Sequence, residues 1–463
     1  MNFKKLIWLT TILITAFLIF IFVWFFRYRY YLLVSVEKIP EMELTSIDGY
    51  TDKMFYFNDE KVKFYLRSED DSSRAVITKI VSPYTYDPID TFYFGKTEQI
   101  ISPEQPEKGC GWNVTHEIML DRSYTPGYYK VLLSNSKDTF HLTITVGDID
   151  NSNEFVVLAP LATFMAYNPW GGKSLYHNYT DSSNVYYVSS QRPNTGVQYF
   201  RDKYNHIDIN VCANVFNWFN AGQNANILPD YYLEQNPEKF LNCKFIVMSY
   251  HCEYFSETMY DNIEEMVFEK NVPMISLGAN QIYWKVKWND DYTIMECRKD
   301  LTLFDSGFFE TGGMWRHNLR SESDLLGVRY TGKGLHTFAP YKIVNSSHWL
   351  YSGLNVNDGE FFGMKGINDF PICGDETDKV PFWMSHKTEV IAKGVNTSIA
   401  DTVKVYKEGD PEWDGDGGGD IALRVIGDNA VLSTGSIYSG SGLGTDKVFT
   451  GIINNFLNKY LKN

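Results

Sequence analysis

Phe245-Ile246-Val247-Met248-Ser249, running into Tyr250-His251-Cys252-Glu253-Tyr254, is the stretch on which the fold turns. Its first half does not alternate, as a strand buried on both faces requires. From Ser256 onward, Met259, Ile263, Met266 and Val267 recur at helical spacing. Val272-Pro273-Met274-Ile275-Ser276-Leu277-Gly278 then reads as a second buried strand. Strand, helix and strand, with about thirty residues between strand starts, make a βαβ unit. Phe155-Val156-Val157-Leu158-Ala159 is another continuous apolar run. A strand-like region over Leu423–Ser436 and a closing helix near Val448–Leu461 complete an α/β domain over residues 151–463. Such folds place ligands at the carboxyl ends of their strands. Tyr250–Tyr254 and Ala279–Trp284 therefore share one rim.

Upstream the pattern changes. Val62–Leu66 and Phe140–Val146 partly alternate, and Thr125-Pro126-Gly127 breaks the chain before Tyr128–Leu133. Short strands with turn punctuation predict an Ig-like β-sandwich over residues 45–150. Residues 27–44 read as a juxtamembrane stalk. Leu6–Phe26, without charge, glycine or proline, is long enough for a transmembrane helix, preceded by a tail of residues 1–5. The expected fold is thus an α+β multi-domain chain: an N-terminal transmembrane helix, a β-sandwich and a three-layer α/β domain. Lys4 and Lys5 before the span, against Arg27 and Arg29 after it, slightly favour a cytoplasmic N-terminus. The expectation is a single-pass membrane protein that meets lipid through residues 6–26, its large domain extracellular or lumenal.

Composition excludes some functions. The net charge of −15 argues against nucleic acid as a partner. With 44% hydrophobic and 21% charged residues, the chain supports a sizeable core. Cys110, Cys212, Cys243, Cys252, Cys297 and Cys373 include no C-x-x-C pair, so no zinc ribbon is expected, and at most one or two disulfides. Sequons at Asn113, Asn178, Asn345 and Asn396 point weakly to a glycoprotein. The acidic stretch Asp410–Asp420 lacks the closing Glu of a calcium loop and reads as solvated.

Three segments carry chemistry. They are Ala166-Tyr167-Asn168-Pro169-Trp170-Gly171-Gly172-Lys173-Ser174-Leu175-Tyr176, then Tyr187-Val188-Ser189-Ser190-Gln191-Arg192-Pro193, then Ser249-Tyr250-His251-Cys252-Glu253-Tyr254-Phe255-Ser256 with Leu277-Gly278-Ala279-Asn280-Gln281-Ile282-Tyr283-Trp284. In this order they resemble the C-terminal domain of the N,N-dimethylformamidase large (beta) subunit family. Ser433-Thr434-Gly435-Ser436-Ile437 resembles the family's late strand, and Pro126-Gly127-Tyr128 its preceding β-sandwich. Ala279 stands where a glycine is usual, and Cys252 where a proline is. The α/β domain is expected to be similar to the class I glutamine amidotransferase kind.

The resemblance implies a mononuclear iron (Fe3+) held by Tyr167, Tyr176 and Glu253, with Tyr179, Tyr186 and Tyr187 as nearby alternatives to Tyr176, hydrolysing the C–N bond of a small amide-like substrate. It leaves open a small partner subunit or self-association. Phenolate and carboxylate are hard oxygen donors suited to such an ion. With a tyrosine pKa near ~10, only a strongly polarising metal keeps the phenol ionised at neutral pH. The metal would polarise the amide carbonyl and make hydroxide from bound water. His251 would act as general base or orient that water, sharing a face with Glu253 on an extended segment. Asn280 would hydrogen-bond the substrate. The catalytic set is therefore His251, Glu253 and Asn280. Two rival readings stand beside it: a hydrolase using Cys252 as nucleophile, and a non-catalytic cell-surface recognition protein on the same fold.

Overall fold

The computed structural model describes Thr15 and residues 45–99, 106–180, 183–197, 199, 207–305, 309–330, 335–396 and 418–461. From residue 45 onward they belong to one unit of the chain.

The central element is a nine-stranded sheet. Asn226–Pro229, Phe155–Ala159, Phe245–Tyr250, Met274–Gly278 and Asn429–Ser433 run parallel in that spatial order. Asp420–Ile426, Thr388–Gly394, Tyr341–Ile343 and Phe361–Phe362 extend it antiparallel. The parallel strands are buried along their whole length, which is why their sequences do not alternate. Phe155 and Phe245 sit opposite each other in register with their rings stacked at 4.7 Å. The helix expected from Ser256 is Glu257–Glu264, capped by the Ser256 hydroxyl, and it loosens into a π-turn over Glu265–Glu269. In chain order, the second strand of this sheet lies on one side of the first and the third on the other. The chain thus switches direction between Phe155–Ala159 and Phe245–Tyr250.

Residues 47–147 form a three-stranded sheet (Ile47–Thr51, Lys61–Ser68, His116–Met119) and a five-stranded sheet (Phe55–Phe57, Thr139–Gly147, Gly127–Ser134, Ser73–Ser82, Thr85–Phe94). Alternating side chains such as Val62, Phe64 and Leu66 pack with Ala75, Ile77 and Val131 between the two sheets. The helix Ile209–Gln223 joins this region to the large sheet. Its N-terminus is capped by Asp208, and its Asn217 donates to the carbonyls of Ile80 and Val81. Phe55, Ile80 and Tyr128 share one apolar core with Phe155, Phe216 and Phe245.

Several expectations are corrected. The α+β reading of a transmembrane helix, an Ig-like sandwich and a three-layer α/β domain gives way to a multi-sheet, β-rich fold, in which the two sheets of the N-terminal region share one apolar cluster as a plain sandwich. Among the described residues strand outweighs helix, and the described residues between Trp284 and Ile426 form short strands and single turns, not long covering helices. The βαβ periodicity of residues 245–278 was real but local. No described helix is long and apolar enough to cross a membrane. The longest, Ile209–Gln223 and Lys447–Tyr460, have 15 and 14 residues, short of the roughly 30 Å that a bilayer core requires. Residues 6–26 lie outside the described residues apart from Thr15, as do the tail 1–5, the stalk 27–44 and most of the acidic stretch 410–420. The single-pass membrane location, and the lipid contact resting on it, have no helix among the described residues to support them. All six cysteines are free thiols. Two of the four sequon asparagines, Asn178 and Asn396, are buried with their amides donating to Ser183 and Thr337, so the folded chain cannot be glycosylated there.

Because Phe216 lies in the core shared by the sandwich and the large sheet, Phe216→Ala is expected to cost about 3–5 kcal/mol. Both regions should unfold in a single transition, followed by denaturant melts with near- and far-ultraviolet circular dichroism. Two separate transitions would contradict the shared core.

Candidate active site

Three parallel strands deliver the site at their carboxyl ends. After Phe155–Ala159 the chain enters the short helix Leu161–Ala166, which ends on Tyr167. The Asp230 carboxylate, one residue beyond Asn226–Pro229, accepts the Ala162 N–H at 3.2 Å, and burial raises its pKa to about 8. Thr163 ties this helix to the neighbouring strand exit. Its hydroxyl donates to the His251 carbonyl and accepts the Glu253 N–H at 3.2 Å.

The strand Phe245–Tyr250 ends in a sharp reversal. Tyr250 adopts φ 58°, a left-handed conformation that costs a non-glycine residue about 1–2 kcal/mol. Its carbonyl packs against Gly278, where a Cβ would lie 1.9 Å from the oxygen, so only glycine fits. Ala279 is not in the left-handed region, and its carbonyl is the part that contacts the site, so a methyl group is tolerated. The Cys252 N–H donates to the Gln281 side chain, a bond that a proline there could not make.

His251 and Glu253 emerge from this reversal on one side. His251 Nδ1 lies 2.9 Å from the Ala279 carbonyl, which assigns a proton to Nδ1. Its Nε2 lies 3.0 Å from Glu253 Oε2, 3.3 Å from the Tyr167 hydroxyl and 3.8 Å from Glu376 Oε2. The Tyr176 hydroxyl donates to both Glu253 oxygens, at 2.7 and 2.9 Å, and accepts from the Tyr254 hydroxyl at 2.6 Å. The Tyr167 and Tyr176 rings lie 4.3 Å apart. Asn280 Nδ2 donates to Glu376 Oε2 at 2.8 Å and reaches Glu253 Oε1 at 3.4 Å. Lys299 Nζ sits 3.2 Å over the Tyr176 ring centroid and donates to the Tyr254 hydroxyl at 3.3 Å. Tyr176 is 40% exposed although its hydroxyl is enclosed, so its ring opens the site to solvent.

The electrostatics follow from burial and mutual compensation. Burial pulls the His251 imidazolium down, but the Glu253 and Glu376 carboxylates together outweigh it and raise its pKa to about 9. Burial pushes Glu253 up, yet His251, Lys299 and the Tyr176 phenol hold it below the usual carboxylate range. Glu376, buried and facing a second carboxylate, rises to about 7, and burial lowers Lys299 to about 8. Burial and the nearby Glu253 charge keep the Tyr167, Tyr176 and Tyr254 phenols protonated, far above their ordinary range. Asn280 Oδ1 is buried and has no hydrogen-bond partner among the described residues.

The structure therefore brings Tyr167, Tyr176, His251, Glu253 and Asn280 into one cluster. It also adds Glu376, Lys299 and Tyr254, to which the sequence reading gave no role. Glu376 lies on the segment 374–378, held by Ser433–Ile437: Asp378 N–H donates to Gly435 and Ile437 N–H to Glu376. The late Ser433–Ile437 motif thus places a carboxylate almost sixty residues away in sequence. Asp375-Glu376-Thr377-Asp378 was visible as an acidic run, but nothing local distinguished it from a solvated turn. Cys252 does not fit a nucleophile. Its thiol is buried, lies 3.6 Å from the Ser249 carbonyl, and is pushed well up by burial, away from the reactive thiolate. The metal-binding expectation is corrected in one respect. Among the described residues no group of three or more His, Cys, Asp and Glu side chains is arranged to hold a metal ion. The donor set expected from the resemblance is two phenols, Tyr167 and Tyr176, and one carboxylate, Glu253.

The sequence model of the family described as N,N-dimethylformamidase beta subunit-like, C-terminal, matches residues 90–451. The chain belongs to that family. The match begins inside the sandwich strand Thr85–Phe94 and runs into the closing helix Lys447–Tyr460. No curated protein matches the chain. Among solved structures, a β-glucuronidase of Faecalibacterium prausnitzii is similar at 8% identity and TM-score 0.15, over 51% of this chain and 28% of that one. The chitinase ChiW of Paenibacillus sp. str. FPU-7 is similar at 12% identity and TM-score 0.16, over 51% of this chain and 20% of that one. The family member spans less than a third of either enzyme, and neither likeness carries an argument about its activity.

Glu253→Gln removes the nearest anion from His251. The imidazolium pKa is then expected to fall from about 9 by about 1–3 pH units. Titration of the His251 ring protons by NMR measures this, and an unmoved titration would contradict the pairing.

Proposed function

We propose that this site hydrolyses the C–N bond of a small amide. The observation that carries the reading is Glu376. It is a buried carboxyl held near 7, hydrogen-bonded to Asn280 and facing His251, so it is half-ionised at neutral pH as a general base should be. His251, as an imidazolium donating to Glu253, serves as a charged donor and not as the base. Asn280 Oδ1 is available to accept an N–H from the substrate. Glu376 takes a proton from water as the water oxygen adds to the amide carbon. The C–N bond then breaks, the proton passes to the departing amine, and an acid and an amine result. His251 and Lys299 offset the negative charge that develops on the carbonyl oxygen.

The iron that the family implies would be held by Tyr167, Tyr176 and Glu253. The donor set fits: all three offer hard oxygens, and the Tyr176 hydroxyl already lies on the Glu253 carboxylate. When bound, such an ion supplies Lewis-acid polarisation of the carbonyl and a lower pKa for bound water.

Two outcomes are expected. Assayed by amine release from a panel of small aliphatic amides, kcat/KM should follow a bell. It rises as Glu376 ionises near pH 7 and falls as Lys299 and His251 lose protons at about 8 and about 9. Glu376→Gln should lower kcat by about 10²–10⁴ and abolish the acid limb, and a variant with full activity would overturn the assignment. Separately, elemental analysis should find about one iron per chain, with a tyrosinate-to-iron absorption that Tyr176→Phe weakens and shifts and that Tyr167→Phe with Tyr176→Phe abolishes. Colourless, metal-free protein purified without chelator would remove the metal from the proposal.

A further inference from the structure

Two parts of the motif-bearing sequence stand outside the chemistry just described: Asn168–Lys173, between the two tyrosines, and Arg192-Pro193. Arg192 is 1% exposed, and its guanidinium is spent almost wholly on backbone carbonyls. One nitrogen donates to the Trp170 and Lys173 carbonyls, each at 2.8 Å, and the other to the Asn168 carbonyl at 3.0 Å. Three carbonyls converge on one fork because Gly171 and Gly172 adopt φ 78° and 83°, which turns the chain back on itself. The Asn168 side chain closes the loop from the other side, donating to the Pro193 carbonyl at 2.8 Å and accepting the Trp170 N–H at 3.1 Å. A buried cation holding a loop by three carbonyls sets its shape more rigidly than any single bond.

The second anchor lies in the sandwich. Trp170 is 3% exposed and packs in the sandwich's own apolar cluster, with its ring edge-to-face against Trp112 at 6.0 Å. The same cluster contains Tyr50, Phe64 and Leu133. A side chain from the loop between Tyr167 and Tyr176 is therefore buried among residues of another sheet pair.

We propose that Arg192 and Trp170 are positioning residues, and that the β-sandwich serves the site by fixing the separation of Tyr167 and Tyr176 through this loop. Neither residue touches the reacting atoms. Tyr167 precedes the clamped segment by one residue and Tyr176 follows it by three, so a loop that slackens releases the Tyr176 hydroxyl from Glu253. The Glu253 carboxylate then loses two hydrogen bonds and its ordering. The consequence for turnover rests on the amide-hydrolase reading, whereas the consequence for tyrosine placement does not.

The test uses the full chain labelled with 3-fluorotyrosine, with the Tyr167, Tyr176 and Tyr128 resonances assigned from Tyr→Phe variants. In Arg192→Lys, which keeps the charge but cannot span three carbonyls, the Tyr176 and Tyr167 fluorine resonances are expected to shift or broaden while Tyr128 stays in place. Trp170→Ala should do the same, and Trp170→Phe, which still fills the sandwich slot, should restore near-native positions. Where wild-type turnover of a small amide is found, Arg192→Lys should lower kcat about tenfold or more with KM within about twofold. Unmoved Tyr167 and Tyr176 resonances in folded Arg192→Lys and Trp170→Ala would overturn the proposal. So would equal shifts at Tyr128, which mean general loosening. Absence of wild-type turnover would count against the hydrolase reading and leave the resonance test decisive for this one.

Discussion

Removing Glu253 from water is the constraint around which the rest of the site is arranged. A carboxylate at 1% exposure is costly unless its charge and all its lone pairs are answered. Here the His251 imidazolium, the Tyr176 phenol, the Asn280 amide and the Lys299 ammonium answer it. Each comes from a different stretch of chain, so the compensation of one charge forces several elements into register. The carboxyl ends of adjacent parallel strands are where these stretches can meet. The reversal at Tyr250, made feasible by the missing side chain at Gly278, turns His251 and Glu253 towards one another.

The same constraint separates the roles of two carboxylates. Glu253 is surrounded by donors and held ionised, whereas Glu376 is left with one amide donor and a like charge nearby, and rises towards neutrality. Two chemically identical groups a few ångströms apart therefore become a fixed anion and an exchangeable proton site. The supporting frame is rigid for a comparable reason. Asp230, Thr163 and the Ser433–Ile437 segment use backbone hydrogen bonds to hold Tyr167, Glu253 and Glu376. The sandwich contributes a core into which Trp170 is set.

Legibility in the sequence varied with the range of the determining interactions. The strands at Phe155, Phe245 and Met274 and the capped helix after Ser256 were readable, since burial on two faces and helical spacing are local patterns. The architecture beyond them was not. The antiparallel half of the sheet depends on pairing between Asp420–Ile426 and Thr388–Gly394, which no local pattern announces. The described residues between 284 and 396 form short strands and turns whose positions are set by neighbours. The apolar run at residues 6–26 invited a membrane reading that no described helix supports.

By itself, the sequence determined which residues carry oxygen and nitrogen chemistry in motif order: Tyr167, Tyr176, His251, Glu253 and Asn280. It determined as well that the strand leading into two of them would be buried on both faces. Only the tertiary structure decided that all five meet, that Glu376 and Lys299 join them, and that Cys252 faces away into the core. The reason is physical. Residue type and local periodicity are encoded within a turn or a strand, but a pKa and a hydrogen-bond partner are set by groups a hundred residues distant, through burial that exists only once the sheet has closed.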